Sequence, residues 1–392
     1  MMAKRLFISG LGYVGRAVLE LLPEASSPRL LVVGLSDSSG ALYDPDGFSE
    51  AELERLRREK AAGKRLAELA AVLGAPVGSA ENLSPAAAPT PAGDQFPSGA
   101  LPPAGDVSPA GDASPATAAP AAAANGAGRR AFLPGRDGAL AAIAAARPDI
   151  LAELSPTELS GGAAVEYALA AIEAGADLVF ASKGALAGAW ERVVPAAGRA
   201  GRRLRYSATV GGGMPVIDAG LAFSLANPLE SVEAVLNGTS VFVLSLMEAG
   251  LDLSRAVAAA QEAGMAEADP SADIDGWDAA AKLCILSRTL FGRPLLPAEV
   301  RRASLRDLAP DAVAAAGARG RVIRAVGRLD AGGAAVELVE LEPASPLARR
   351  GAENAVVYRS RIAGDLALIG KGAGPRETAA AVLRDLAILS ST

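Results

Sequence analysis

Three glycines near the start constrain this chain more than any other feature. Lys4–Ser9 (KRLFIS) is a short apolar run bounded by glycine, the pattern of a buried parallel strand. Gly10-Leu11-Gly12-Tyr13-Val14-Gly15 follows at once, and Arg16 to Leu22 then reads as a helix. A glycine triplet of this spacing says little alone, but between a strand and a helix it has one well-defined use. Gly10 permits a tight turn, Gly12 lets the backbone approach a pyrophosphate, and Gly15 allows the helix to pack closely on the strand. The helix N-terminus adds amide donors and the positive end of a dipole. The expected ligand is a dinucleotide, NAD or NADP, held by Gly10, Gly12, Tyr13, Val14 and Gly15.

Asp37 closes the next apolar run, Leu30–Leu35, 22 positions after Gly15. An acidic side chain there is placed to accept hydrogen bonds from ribose hydroxyls and disfavours a 2′-phosphate. This leans the reading toward NAD, while Ser38, Ser39 and the basic group Arg55, Arg57, Arg58 and Lys60 leave NADP open.

The chain has 392 residues, more than one core usually supports, so two domains are expected. Runs at Asp149–Leu154, Asp177–Ser182 and Arg203–Thr209 alternate with alanine-rich helical stretches, including Gly162–Ala174. That alternation predicts an α/β, Rossmann-type doubly wound parallel sheet. Beyond Gly211 it lapses. Val232–Leu236 and Val241–Leu246 read as strands or helix starts, Asp275–Phe291 as a long helix, and Arg321–Arg328, Ala334–Leu341 and Ala355–Arg359 as strands. These predict an α+β second domain over 207–369. A final helix, Glu377–Leu389, is assigned with 370–392 back to the nucleotide domain of 1–206. Residues 75–128 change abruptly to Ala, Pro, Gly, Ser and Asp, with Pro-Ala-Gly-Asp recurring at Pro91, Pro103 and Pro109. So few large apolar side chains cannot offset their own ordering entropy, which predicts a disordered surface insertion.

Absences narrow the chemistry. There is no histidine, which removes Ser-His and Cys-His nucleophilic mechanisms. The single cysteine, Cys284, lies in an apolar run and reads as a small core residue. Proton transfer must then use lysine, carboxylate, tyrosine or water. A net charge of -6 gives no reason to expect nucleic acid or an anionic membrane. No run reaches the ~18 apolar residues needed to span a bilayer. A cytoplasmic protein acting on a small molecule is expected.

The most specific segment is Glu267-Ala-Asp269-Pro-Ser-Ala-Asp273-Ile-Asp275-Gly-Trp-Asp278-Ala-Ala-Ala-Lys282. Asp278 and Lys282 are four apart on one helix and share a face. Glu267 and Asp273 precede them in a polar stretch. Carboxylates around a lysine suit a zwitterionic amino acid, although an exposed pair of this kind contributes only ~0.3–0.5 kcal/mol to a helix. Lys183 stands at the carboxyl end of a parallel strand, where open α/β sheets place ligands.

That segment resembles the homoserine dehydrogenase signature, an E-x-D-P element before D-G-x-D-x-x-x-K. Ala208-Thr-Val-Gly-Gly-Gly213-Met-Pro215, Leu236-Asn-Gly-Thr239, Ala181-Ser-Lys183, Ser36–Gly47 and Gly372–Thr378 are similar to family segments in the same order. The resemblance covers nearly the whole chain except the insertion, and corresponds to the short form without a kinase or C-terminal regulatory domain. It implies interconversion of L-homoserine and L-aspartate 4-semialdehyde with NAD or NADP, in threonine and methionine biosynthesis, by a homodimer built through the second domain's sheet. It also implies roles: Lys183, Lys282 and Asp278 catalytic; Glu267, Asp273, Gly238 and Thr239 for substrate; Ser38, Ser155, Thr157, Lys183 and Gly372 beside the cofactor. The Val210–Gly213 loop corresponds to one that binds a monovalent cation through backbone carbonyls, implicating Val210 and Gly212, but Ser207 stands where a carboxylate is usual. Ser182, Glu158 and Val241 replace asparagines common around the family's site. A same-fold dehydrogenase for another small hydroxy or aldehyde compound, and a non-catalytic NAD(P) sensor, remain the alternative readings.

Overall fold

The computed structural model describes residues 3–25, 30–78 and 130–391. They form two sheets with helices packed on them. The first sheet has seven strands in the order β4-β3-β2-β1-β5-β6-β7. These are β1 (Lys4–Ser9), β2 (Leu30–Asp37), β3 (Gly40–Tyr43), β4 (Ala131–Pro134), β5 (Ile150–Glu153), β6 (Asp177–Phe180) and β7 (Leu204–Arg205).

Side-chain alternation explains why this sheet is covered on both faces. Along β1, Phe7 joins one core cluster while Leu6 and Ile8 join the other. Successive side chains on a strand point to opposite faces, so an unbroken apolar run needs a layer on each side. The first helix (Tyr13–Leu21) and the C-terminal helix (Pro375–Ser390) pack against each other on the Leu6 and Ile8 face. Helices Gly135–Ala146 and Gly162–Glu173 cover the Phe7 face. The C-terminal helix thus packs on the first sheet.

The sheet is not wholly parallel. β3 runs antiparallel to β2 and to β4. The cause is local: Gly40, at a φ of +142°, lets the chain reverse after Ser38 and Ser39 without a helical crossover. The insertion also begins later than its composition predicts. Ala75 is buried, Val77 bridges to Phe132, and Gly78 donates to the Phe132 carbonyl at 2.9 Å. A proline-rich stretch can still be held by backbone bonds to an edge strand. Residues 79–129 of the expected insertion lie outside the described residues.

The second sheet has six strands, β13-β12-β8-β10-β11-β9. They are β8 (Leu229–Val235), β9 (Arg301–Arg302), β10 (Val322–Asp330), β11 (Gly333–Leu341), β12 (Glu353–Ser360) and β13 (Gly364–Lys371). β13 is absent from the sequence reading: an alternating, half-exposed edge strand carries too little apolar residue to announce itself. It also moves the domain boundary past Lys371. The Val241–Leu246 run is helical, inside Gly238–Glu248, and the Arg203–Thr209 run yields only the two-residue β7 before a 3-10 turn. Among the described residues no helix is long and apolar enough to cross a membrane.

Candidate active site

The carboxyl ends of β1, β5 and β6 meet at one edge of the first sheet, and the glycine loop leads directly into the first helix there. Each glycine answers a separate steric demand. A Cβ on Gly10 would fall 2.5 Å from the Ser155 nitrogen, and one on Gly15 would fall 2.1 Å from the Gly10 carbonyl oxygen. A Cβ on Gly12 would meet nothing within 4 Å, so that position is open rather than packed. Gly12 caps the helix, and Tyr13 beside it is 76% exposed under the Arg16 guanidinium. This is a free helix N-terminus facing open space, the arrangement a pyrophosphate needs.

Asp37 departs from expectation. Its Oδ2 accepts from Lys60 Nζ at 2.5 Å and from the Leu66 backbone N–H at 3.0 Å. Its Oδ1 accepts from the Ser39 N–H and hydroxyl at 2.8 and 2.6 Å. Burial opposes ionisation, but Lys60 and these donors outweigh it and hold the carboxyl below its ordinary value. A carboxylate so engaged holds the β2–β3 turn against Lys60 and the Leu66–Val72 helix, and is not a free ribose acceptor. The lean toward NAD that rested on it is withdrawn. Ser38, on the same turn, is exposed.

Opposite the loop, three residues distant in the chain converge. Lys282 Nζ donates to Asp278 Oδ2 and to the Leu236 carbonyl, each at 2.6 Å. Lys183 Nζ lies 3.5 Å from Asp278 Oδ1. The helix Trp277–Phe291 places Asp278 and Lys282 one turn apart, and the end of β6 brings Lys183 to them. Burial alone would raise the Asp278 carboxyl, but the Lys282 and Lys183 ammonium groups dominate and keep it far below its usual range. Two ammonium groups on one carboxylate place N–H donors where an oxygen that becomes an oxyanion could be met.

Asn237 completes this cluster, and the sequence reading passed over it within Leu236-Asn-Gly-Thr239. Its Oδ1 caps the Gly238–Glu248 helix by accepting the Ser240 N–H at 2.8 Å. With the amide so oriented, Nδ2 donates to Asp273 at 2.6 Å and Asp278 at 2.9 Å. A helix-capping asparagine beside a glycine was the available signal. Burial first, then the Asp278 charge, pushes Asp273 upward. The Thr239 hydroxyl donates to the Met265 carbonyl, and Gly238 begins the helix beside Ala373. Thr157 Oγ1 accepts the Lys183 backbone N–H at 3.3 Å.

Other residues named from the sequence fall differently. Glu267 stands outside the cluster: it is exposed, and only its backbone carbonyl is engaged, by Gln261. Val241 is fully buried against Val235 and Val326, so this substitution concerns packing and not the site. Ser182 is buried with its hydroxyl unpartnered among the described residues, and Glu158 is exposed, its carboxyl lying over Gly162 at a helix start. Cys284 is buried in the core and its thiol is pushed up to about 12 by burial, as a packing residue should be.

Near Val210 and Gly212, where a carboxylate is usual, Ser207 is engaged by two acids from elsewhere in the chain. The Ser207 hydroxyl donates to Asp218 and Asp385, each at 2.8 Å, and Arg205 pairs with both carboxylates. Gly212 is a packing glycine, its Cβ position 2.5 Å from the Gly372 carbonyl oxygen. That contact brings Gly372 to the domain junction.

The family model described as homoserine dehydrogenase matches residues 215–387, and one for glutamate/leucine/phenylalanine/valine dehydrogenase matches residues 1–91. The chain is 34% identical over 240 residues to homoserine dehydrogenase of Methanocaldococcus jannaschii, covering 61% of this chain and 71% of that protein. It is 35% identical to the NAD(+)-dependent homoserine dehydrogenase of Pseudomonas canavaninivorans, covering 61% and 70% respectively. A crystal structure assigned as homoserine dehydrogenase from Archaeoglobus fulgidus superposes with a TM-score of 0.74 over 99% of both chains, at 27% identity. With the glycine loop at the carboxyl end of β1 and the lysine–carboxylate cluster at the carboxyl end of β6, these matches settle the kinship: the chain belongs to the homoserine dehydrogenase family.

Proposed function

We propose that this protein is an NAD(P)-dependent oxidoreductase interconverting L-homoserine and L-aspartate 4-semialdehyde, with the Lys183–Asp278–Lys282 cluster at its catalytic centre. The observation that carries the site assignment is Asp278 held between two lysines, with Asn237 tying it to Asp273. The nicotinamide dinucleotide supplies hydride transfer at the carbon bearing the hydroxyl. The loop Gly10–Gly15 and the helix N-terminus at Tyr13 hold its pyrophosphate, and Ser155, Thr157 and Gly372 line its path.

The protein's own part is proton and charge management. As homoserine is oxidised, its C–H electron pair leaves as hydride, its O–H proton passes to a base, and a carbonyl forms. Lys282 has two short fixed bonds, whereas among the described residues Lys183 Nζ is held only by a longer contact to Asp278. Lys183 is therefore the group freer to move a proton: its ammonium form gives one to the oxygen as the aldehyde is reduced, and the amine so formed is what takes it back in oxidation, directly or through water, while Lys282 stabilises the oxyanion. Asp273, tied to the cluster through Asn237, is assigned to the substrate ammonium group, with Glu267, which stands outside the cluster, as the second acid the family resemblance implies. Reduction of the aldehyde runs the same steps backward.

We infer a homodimer through the second sheet, whose edge strand β13 leaves Ile369 48% exposed, and a cytoplasmic site of action, where nicotinamide pools reside. The test is nicotinamide reduction by the purified protein with L-homoserine, run separately with NAD and NADP. Turnover with either supports the assignment. Cofactor binding without turnover on homoserine, but with turnover on a related hydroxy acid, replaces the substrate and directs attention to Ser182 and Glu158.

A further inference from the structure

One wholly buried carboxyl lies beside this cleft and outside the lysine cluster. Glu153 ends β5, between β1 and β6, in register with Ser9. It is 0% exposed. Its Oε1 accepts the Ser155 N–H at 3.0 Å and also the Ser155 hydroxyl. Its Oε2 has no partner within hydrogen-bonding distance among the described residues, and neither has the hydroxyl of Ser9, the residue paired with it on β1. An ionised carboxylate in such a place, with no cation paired to it among the described residues, is strongly disfavoured by its loss of hydration. Burial accordingly pushes this group upward, with Ser155 and Ser9 offsetting only part of the effect. An apolar side chain would fill the strand end at no such cost, so the acid needs another reason.

Ser155 supplies it. The turn it opens is packed against both halves of the cleft. Gly10 must lack a Cβ because the Leu154–Ser155 backbone lies against it, and the Leu154 N–H donates to the Ser9 carbonyl at 2.7 Å. Two residues on, Thr157 Oγ1 receives the Lys183 N–H. We propose that Glu153 is a positioning residue that grips Ser155 through its N–H and its hydroxyl, and so holds the dinucleotide loop and the Lys183 loop in one fixed relation. Its acceptor oxygen Oε1, which takes both Ser155 bonds, does the holding, and no cation among the described residues pairs with the carboxyl. This rests on reading the cleft as a dinucleotide site.

The experiment compares Glu153→Gln, Glu153→Leu and Ser155→Ala in the full chain. NADH and NADPH binding is followed by cofactor fluorescence, which needs no amino-acid substrate, and kcat, cofactor KM and Tm are measured alongside. Glutamine keeps the acceptor oxygen, so its cofactor affinity should stay within about twofold of wild type. Leucine should weaken cofactor binding about tenfold or more, and Ser155→Ala, which keeps the N–H, by about threefold. Unchanged cofactor binding in the leucine variant with a lowered Tm would reduce Glu153 to a structural role and overturn the proposal. So would a glutamine variant as impaired as leucine, since charge would then be the active property. If the leucine variant does not fold, the other two decide: normal binding in Ser155→Ala refutes the grip. A wild-type protein that binds neither cofactor would sink the reading of the cleft instead.

Discussion

Replacing Lys282 with methionine removes an ammonium group while keeping most of the stem, and the structure sets the scale of the loss. Lys282 Nζ has two partners at 2.6 Å, Asp278 and the Leu236 carbonyl, and its side chain is 11% exposed. Leaving the Leu236 carbonyl without its donor costs ~1–3 kcal/mol of stability. The larger effect falls on the reaction. A positioned proton-transfer or oxyanion-stabilising group contributes ~10²–10⁴ in rate, or ~2.7–5.4 kcal/mol of barrier. Lys183 still faces Asp278 at 3.5 Å, so the cluster keeps one cation and the variant should retain residual turnover. The glycine loop is untouched. Steady-state oxidation of L-homoserine at saturating cofactor should thus show kcat down by ~10²-fold or more. NAD(P)H affinity, read by fluorescence, should hold within about twofold. A kcat within about threefold of wild type would remove Lys282 from the mechanism. A comparable loss of cofactor affinity would mean the two halves of the cleft are not separable as described.

The Gly12→Ala variant should fold with an unchanged Tm, because the added methyl meets no protein atom within 4 Å, yet bind cofactor at least ~10-fold more weakly. A changed Tm with normal binding would contradict the open approach at Gly12. Asp37→Asn should lower Tm by a few degrees through loss of the Lys60 ion pair, a change of ~2 kcal/mol, with little effect on the NAD-to-NADP ratio of kcat/KM. A switched cofactor ratio would restore Asp37 as a ribose ligand. The folded Asp278 carboxyl is depressed, so its stabilisation is present above the ordinary aspartate value of ~3.9 and lost as pH falls through the lower folded value. Thermal melts of wild type and Asp278→Asn should converge toward that acid limit and separate above it. Glu153 has the opposite sign: ionisation of the buried acid opposes folding, so Glu153→Gln should gain Tm relative to wild type as pH rises above the ordinary glutamate value of ~4.3.

What the sequence determined by itself is what local geometry governs. The Gly10–Gly15 loop lies within one strand–turn–helix unit, so its steric needs follow from spacing alone. Asp278 and Lys282 meet because residues four apart on a helix share a face, whatever the rest of the chain does. The paired apolar faces of β1 and β2 likewise follow from a period of two. Other features depended on elements distant in sequence coming together. Lys183 reaches Asp278 only because β6 ends beside the Trp277–Phe291 helix, and Asn237 joins Asp273 to Asp278 only from the neighbouring helix cap. Asp37 shows the reverse. Its position along the chain fitted a ribose ligand, but the packing of Lys60 and Leu66 onto the β2–β3 turn claimed its oxygens first. A side chain's chemical type is written in the sequence. Whether its hydrogen-bonding capacity is free for a ligand depends on which donors tertiary packing brings within reach, and that only the assembled fold decided.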